Sequence, residues 1–277
     1  LGTQALGSGT VTGGKNVAIG MYAGKNVAGG KCNVFLGPGA GPQLTTGCNN
    51  VFIGDCAGKD GIVTGNGNIV TGNCAGLKLT SGGNNIFFGL MAGSETLTTE
   101  DNVYIGGSAG RCMVGGYNTG IGYGSLTGSS TPGNNTGAFN VGLGRYTLTS
   151  ITSGGCNIAI GCYAACQLTT GSANIIMGRN AGNELTTATD NVILGCYAAK
   201  NSVSLCANTL IGMETGACLC NGSHNIAMGQ YTMRGSSTVS ANTAGYNVAL
   251  GFNVLKVISS GTHNVSLGSG AGCNITT

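Results

Sequence analysis

NVAIGMYAG at residues 16–24 returns as NVFLGPGAG at 33–41 and NVFIGDCAG at 50–58, and it is still legible as NVSLGSGAG at 264–272. Aligned on Asn-x-x-x-Gly, the line occurs fifteen times, anchored at Asn16, Asn33, Asn50, Asn68, Asn85, Asn102, Asn118, Asn140, Asn157, Asn174, Asn191, Asn208, Asn225, Asn247 and Asn264. Ten of the fourteen intervals are 17 residues, one is 18, one is 16 and two are 22. A fixed period of this length marks a tandem array of supersecondary units.

With the asparagine numbered 0, position +1 is Val or Ile in thirteen copies and Thr in two, and +3 is apolar in all but one, where Thr71 stands. Position +4 is always Gly, +7 is Ala in ten copies, and Leu or Val near +11 is often followed by Thr-Thr. Alternation at +1 and +3 is the period of a strand with one buried face. It predicts +1 and +3 inward and +2 outward. Recurrent glycine excludes a helix, where each would cost about 1 kcal/mol relative to alanine. A 17-residue unit with short strands buries its apolar side only by stacking on identical neighbours. The expectation is therefore all-β: a parallel β-solenoid of about fifteen 17-residue coils, rising about 4.8 Å per coil. In it the asparagines stack as a structural ladder at one corner, and the +4 glycine supplies a positive-φ turn.

Composition narrows the class. Of 277 residues 55 are Gly and 3 are Pro, which without a strict triplet excludes collagen. Charged residues make up 7% and hydrophobic ones 41%, so there is apolar surface to bury and disorder is not expected. A net charge of +3 from scattered Lys and Arg gives no nucleic-acid footprint. No apolar run reaches the length of a membrane span. The repeat covers residues 1–277 as one continuous domain. It starts mid-repeat at Leu1, which reads as a piece of a longer fibre.

Both 22-residue intervals carry one insertion in nearly the same words, GSSTPGNNTGAFNVGLG at 128–144 and GSSTVSANTAGYNVALG at 235–251. The extra residues fall near 128–139 and 235–246. Flanking copies replace the small pair at +7/+8 with Ser125-Leu126, Thr147-Leu148, Thr232-Met233 and Val254-Leu255, so the insertion goes with a change of packing. Either it is a bulge left by duplication of a six-coil block, or it forms two projecting loops that contact a partner. Ser129, Thr131, Asn134, Ser236, Thr238 and Asn242 are the candidate contact residues.

The Asn-Val-x-Ile-Gly-x-x-Ala-Gly line with its Thr-Thr-Gly spacer resembles the head repeats of trimeric autotransporter adhesins. Similar repeats occur in phage and large-virus fibre proteins. The resemblance implies a left-handed parallel β-roll, three chains wrapped together, and an extracellular adhesive fibre. The 17-residue coil is longer than the usual adhesin head repeat, and cysteine is rare in those heads. The first difference bears on coil shape and trimer geometry, and the second favours a virion surface over a bacterial one.

Thirteen cysteines scatter over the phases of the repeat. Most read as small apolar corner residues. Cys56 and Cys74 share phase +6 in consecutive coils, within the Cα spacing a disulfide tolerates, and form the candidate disulfide. Cys218, Cys220 and His224 are the one zinc arrangement on offer, without the second spaced pair a structural site needs. The eight acidic residues fall at different phases with no adjacent-coil carboxylate pair, so no catalytic residues, metal site or cofactor are expected.

The leading expectation is a non-enzymatic structural fibre or shaft segment of an extracellular or virion surface appendage, adhesive at its surface. It would self-associate as a trimer or an end-to-end filament and meet a host-surface glycan or protein receptor. The alternative is an ice-binding solenoid, favoured by low charge and threonines and opposed by the broken Thr-Thr array. A third reading takes Phe35, Phe52, Val70, Phe87 and Tyr104 at +2 as an outward stripe, either a platform for sugars or the seam between chains.

Overall fold

A computed structural model describes residues 2–7, 12–236 and 242–275. It is all-β, a β-solenoid with one three-residue strand per repeat. The chain divides into two compact units, Leu1–Phe139 and Asn140–Thr277. In the first, β1 (Val17–Ile19), β2 (Val34–Leu36), β3 (Val51–Ile53), β4 (Ile69–Thr71), β5 (Ile86–Phe88), β6 (Val103–Ile105) and β7 (Thr119–Ile121) lie side by side in sequence order. The second has β8 (Val141–Leu143), β9 (Ile158–Ile160), β10 (Ile175–Met177), β11 (Val192–Leu194), β12 (Thr209–Ile211), β13 (Ile226–Met228), β14 (Val248–Leu250) and β15 (Val265–Leu267), also in order. Pairing within each unit is parallel and in register by repeat position, Val34 against Val51 and Ile175 against Val192.

The strands are short because backbone bends close in on both sides. At +4 the chain takes a conformation reserved for glycine, φ +123° at Gly37 and +136° at Gly178. A Cβ on Gly178 would sit 2.4 Å from the carbonyl oxygen of Gly195 in the next coil, so backbone stacks on backbone there. Positions +6 and −1 are left-handed too, and they hold side chains: φ is +59° at Tyr197 and +56° at His224. Such bends cost about 1–2 kcal/mol each for an L-residue. Neighbouring coils hold them in place. The Tyr197 N–H donates to the Arg179 carbonyl at 3.0 Å, and the His224 N–H to the Cys206 carbonyl at 3.0 Å.

The strand faces are the reverse of the expected phase. Position +2 points inward: Phe35, Phe52, Val70, Phe87 and Tyr104 have no exposed surface, while +1 and +3 face out. The core is built from +2, +7, +8 and the apolar residue near +11, with Phe35 on Phe52 at 6.0 Å and Phe87 on Tyr104 at 5.5 Å between ring centroids. Positions +2 and +8 share one space and divide its volume. Where +2 is Phe52, +8 is Gly58, and a Cβ there would lie 2.3 Å from the ring. Where +2 is Gly120, Gly142, Ala227 or Ala249, +8 is Leu126, Leu148, Met233 or Leu255, all fully buried. The larger residues flanking the insertions thus fill room that a small +2 leaves open.

Candidate functional site

The asparagine ladder is a buried, fully bonded column. In the first unit, Asn50 donates its backbone N–H and one amide hydrogen to Asn33 Oδ1 at 2.9 and 3.2 Å, and its other amide hydrogen to the Gly65 carbonyl at 2.9 Å. The second unit repeats this at Asn174, through Asn157 Oδ1 and the Ala188 carbonyl. Every anchor from Asn33 to Asn247 is buried, and only Asn16 and Asn264 are half-exposed. One irregularity coincides with the 16-residue interval. There the Asn118 amide turns to the carbonyls of Gly115 and Gly137, and the buried Tyr104 hydroxyl donates to Asn102 Oδ1 at 3.2 Å in its place. Burial raises the pKa of that phenol, which stays neutral and a donor.

With +2 inside, the outward strand face is apolar. The first unit exposes Ile19, Ile86, Phe88 and Ile121 on it, and the second exposes Ile175, Met177, Ile226 and Leu267, from 38% for Ile175 to 61% for Leu267. No charged residue stands at +1 or +3 in any of the fifteen copies. Eight strands, seven steps of about 4.8 Å, make this face of the second unit roughly 34 Å long. The −1 column beside it carries stacked rings: Tyr117 on Phe139 at 4.9 Å in the first unit, and His224, Tyr246 and His263 at 4.7 and 5.1 Å in the second. The expected +2 stripe of Phe35, Phe52, Val70, Phe87 and Tyr104 is wholly internal, so it is neither a sugar platform nor a seam between chains.

Another edge of the second unit, at +5 to +9, is cationic and tyrosine-lined. Arg145, Arg179, Lys200, Arg234 and Lys256 are all the basic residues between 140 and 277, and all lie on it. Arg145 sits over the rings of Tyr146 and Tyr163 at 4.7 and 5.9 Å, Arg179 and Lys200 over Tyr197 at 4.9 and 5.2 Å, and Lys256 over Tyr231 at 5.9 Å. Along the chain these cations look scattered, because their spacing hides the edge they share at +5 and +9 of the coil.

The insertions are clasped at their bases. Buried Asn135 donates to the carbonyls of Ser129 and Cys112 at 2.8 and 2.9 Å and accepts from the Ser129 N–H and hydroxyl at 3.0 and 2.9 Å. Asn242 does the same with Ser236 and Cys218. Asn242, expected among the projecting contact residues, is instead buried, with both amide atoms committed to the clasp. Ser129 and Ser236 are half-buried at the base, and Thr131 and Asn134 are exposed around a short 3-10 turn, Pro132–Asn134. Thr238 lies outside the described residues.

Cys56 and Cys74 occupy the same position in neighbouring coils as free thiols, tied by the Cys74 N–H on the Asp55 carbonyl at 3.0 Å. Burial, with the Asp55 carboxylate beside it, pushes the Cys56 thiol pKa up. Among the described residues no three His, Cys, Asp or Glu side chains are grouped to hold a metal, Cys218, Cys220 and His224 included. No helix among them is long and apolar enough to cross a membrane. Comparison of the chain with protein-family models gives no match, and comparison with curated proteins gives none either.

Proposed function

We propose that this chain is a structural shaft segment of an extracellular or virion-surface fibre, in which copies pack together through the outward +1/+3 face. The observation that carries this reading is the uncharged Val/Ile/Leu face presented by both units. Exposed flat sheet of this kind is normally blunted by charge, and here it is not. A partner that covers it along its length needs the same coil rise, and a second copy of the chain has that rise by construction. Three copies around an axis is the arrangement implied by the resemblance to adhesin heads and viral fibres. The coils themselves support a load-bearing rather than catalytic role, since bonded carbonyls, ladder amides and packed corners engage the recurring residues.

Sedimentation of the purified protein tests the reading, alone and as the Ile175→Lys/Ile226→Lys variant. The expected result is an oligomer for the native chain and a monomer for the variant, with equal circular dichroism. A monomeric native chain overturns it.

The ice-binding alternative has one observation in its favour. Ser153, Thr170 and Thr187 at +13 are exposed in consecutive coils of the second unit. The hydroxyls of Thr152, Thr169 and Thr186 beside them donate to the next coil's carbonyls at 3.1, 3.0 and 3.3 Å, which leaves a single file. Clear thermal hysteresis would reverse this ranking.

A further inference from the structure

The basic, tyrosine-lined edge of the second unit serves no purpose in the shaft reading. We propose that it binds a linear anionic polysaccharide laid along the stacking direction of the coils. This gives the adhesive half of the fibre reading a ligand class and rests on that half alone, because the edge lies at +5 to +9 and the self-association face at +1 and +3.

Four observations carry it. First, all five basic residues of the unit are on this one edge with a single acidic residue, Glu214 at +6, whereas Glu184 and Asp190 stand at +10 and −1. Second, Arg234 is neutralised by Glu214 at 2.9 Å, whereas Arg145, Arg179, Lys200 and Lys256 have no carboxylate partner among the described residues. Third, these four cations are held over tyrosine rings rather than loose in solvent. A guanidinium resting on a ring still presents N–H groups at its rim to a carboxylate or sulfate, even at Arg179, where one Nη2 hydrogen is given to Cys196 Sγ at 3.7 Å, and little freedom is lost on binding. Fourth, the edge is periodic. Tyr163, Tyr197 and Tyr231 recur every second coil, as do Arg145 and Arg179, an interval of about 9.6 Å. That is about the length of one disaccharide in an extended glycan.

A repeating edge selects a repeating ligand. Charge density separates a polysaccharide from a nucleic acid: four uncompensated cations span six coil steps, about 29 Å, far fewer than the phosphates of a strand that long. A glycan with one acidic group per disaccharide matches that density. Between the tyrosines, shallow clefts such as the one lined by Tyr197, Lys200, Asn201, Glu214 and Arg234, about 200 Å³, offer hydroxyl and amide partners to sugar hydroxyls.

The test is titration of the whole chain with four polymers: hyaluronate oligosaccharides, chondroitin sulfate, uncharged dextran and oligo-dT. Expected is binding of hyaluronate, with one carboxylate per disaccharide, or of chondroitin sulfate, which adds a sulfate to that carboxylate, with no binding of dextran and weaker binding of oligo-dT. Arg179→Gln should weaken binding several-fold and lower the salt slope by about one. Tyr197→Leu should weaken it at unchanged charge, with Tyr197→Phe retaining most of the affinity, which separates ring positioning from the hydroxyl. Failure of both anionic glycans, equal or tighter binding of oligo-dT, or indifference to Arg179→Gln overturns the proposal. Arg179 is exposed and leaves the core intact, so loss of fold does not confuse that result. Sedimentation of the same sample shows separately whether the fibre reading has failed.

Discussion

Phe52 and Gly58 show how one residue's size dictates another's. The ring is fully buried, and a Cβ at Gly58 would stand 2.3 Å from it. At Gly142 and Leu148 the same two repeat positions are filled the other way round. Phe52→Gly alone opens a cavity and should cost about 3–5 kcal/mol. Gly58→Leu alone drives a side chain into the ring and also imposes a left-handed bend on a residue with a Cβ, so it too should lower the melting temperature. The double variant Phe52→Gly/Gly58→Leu should melt above the less stable single variant, with a favourable coupling of roughly 0.5–3 kcal/mol. Thermal unfolding of the four proteins completes the cycle. Simple additivity would mean that the two columns do not share their space.

At the scale of the coil, the asparagine spacing was enough to read the period, the parallel stacking and the ladder. The direction of the strand faces was not legible from alternation. Period two separates two faces but says which is inside only if one is polar, and here both are apolar. Val and Ile at +1 and +3 are the more uniform set, and uniformity alone points to them as core. The informative signal was covariation of +2 with +8, Tyr104 with Gly110 against Ala249 with Leu255, which the outward reading of +2 concealed. The basic edge stayed hidden for a similar reason, since Arg145 and Arg179 are 34 residues apart in the chain (179 − 145) and two coils apart in space. Stacking also makes a prediction about Cys56 and Cys74. Their positions repeat at about 4.8 Å, inside the Cα range of a disulfide. Mild oxidation should link them as the first intramolecular bond, found by peptide mass mapping. The raised Cys56 pKa slows the reaction near neutral pH and moves its onset to more alkaline conditions, where the thiolate forms. If Cys56 instead links first to a residue outside the neighbouring coils, the coil register is wrong.

For the whole molecule, the two proposed contacts rest on opposite physics and should separate under solution conditions. Packing through the Val/Ile/Leu face is driven by apolar burial, with a negative heat-capacity change and little dependence on salt. Self-association measured by sedimentation should hold as salt is raised and weaken on cooling. Glycan binding at the Arg/Tyr edge should fall steeply with the same addition of salt. Assembly that dissolves in salt would shift the seam away from the +1/+3 face, where no charge exists to be screened.

The Ser–Asn clasps have a consequence for how such a chain can change. Each encloses five residues, STPGN between Ser129 and Asn135 and STVSA between Ser236 and Asn242, and these share only their first two letters. Because the clasp closes the loop with its own hydrogen bonds to the coil, the enclosed text is released from the rules that govern every other turn. The chain thus keeps writable text inside a script whose other turns are held to their neighbours. At the first insertion, where Ser130, Thr131 and Asn134 are exposed, new surface chemistry can be drafted without renegotiating the core.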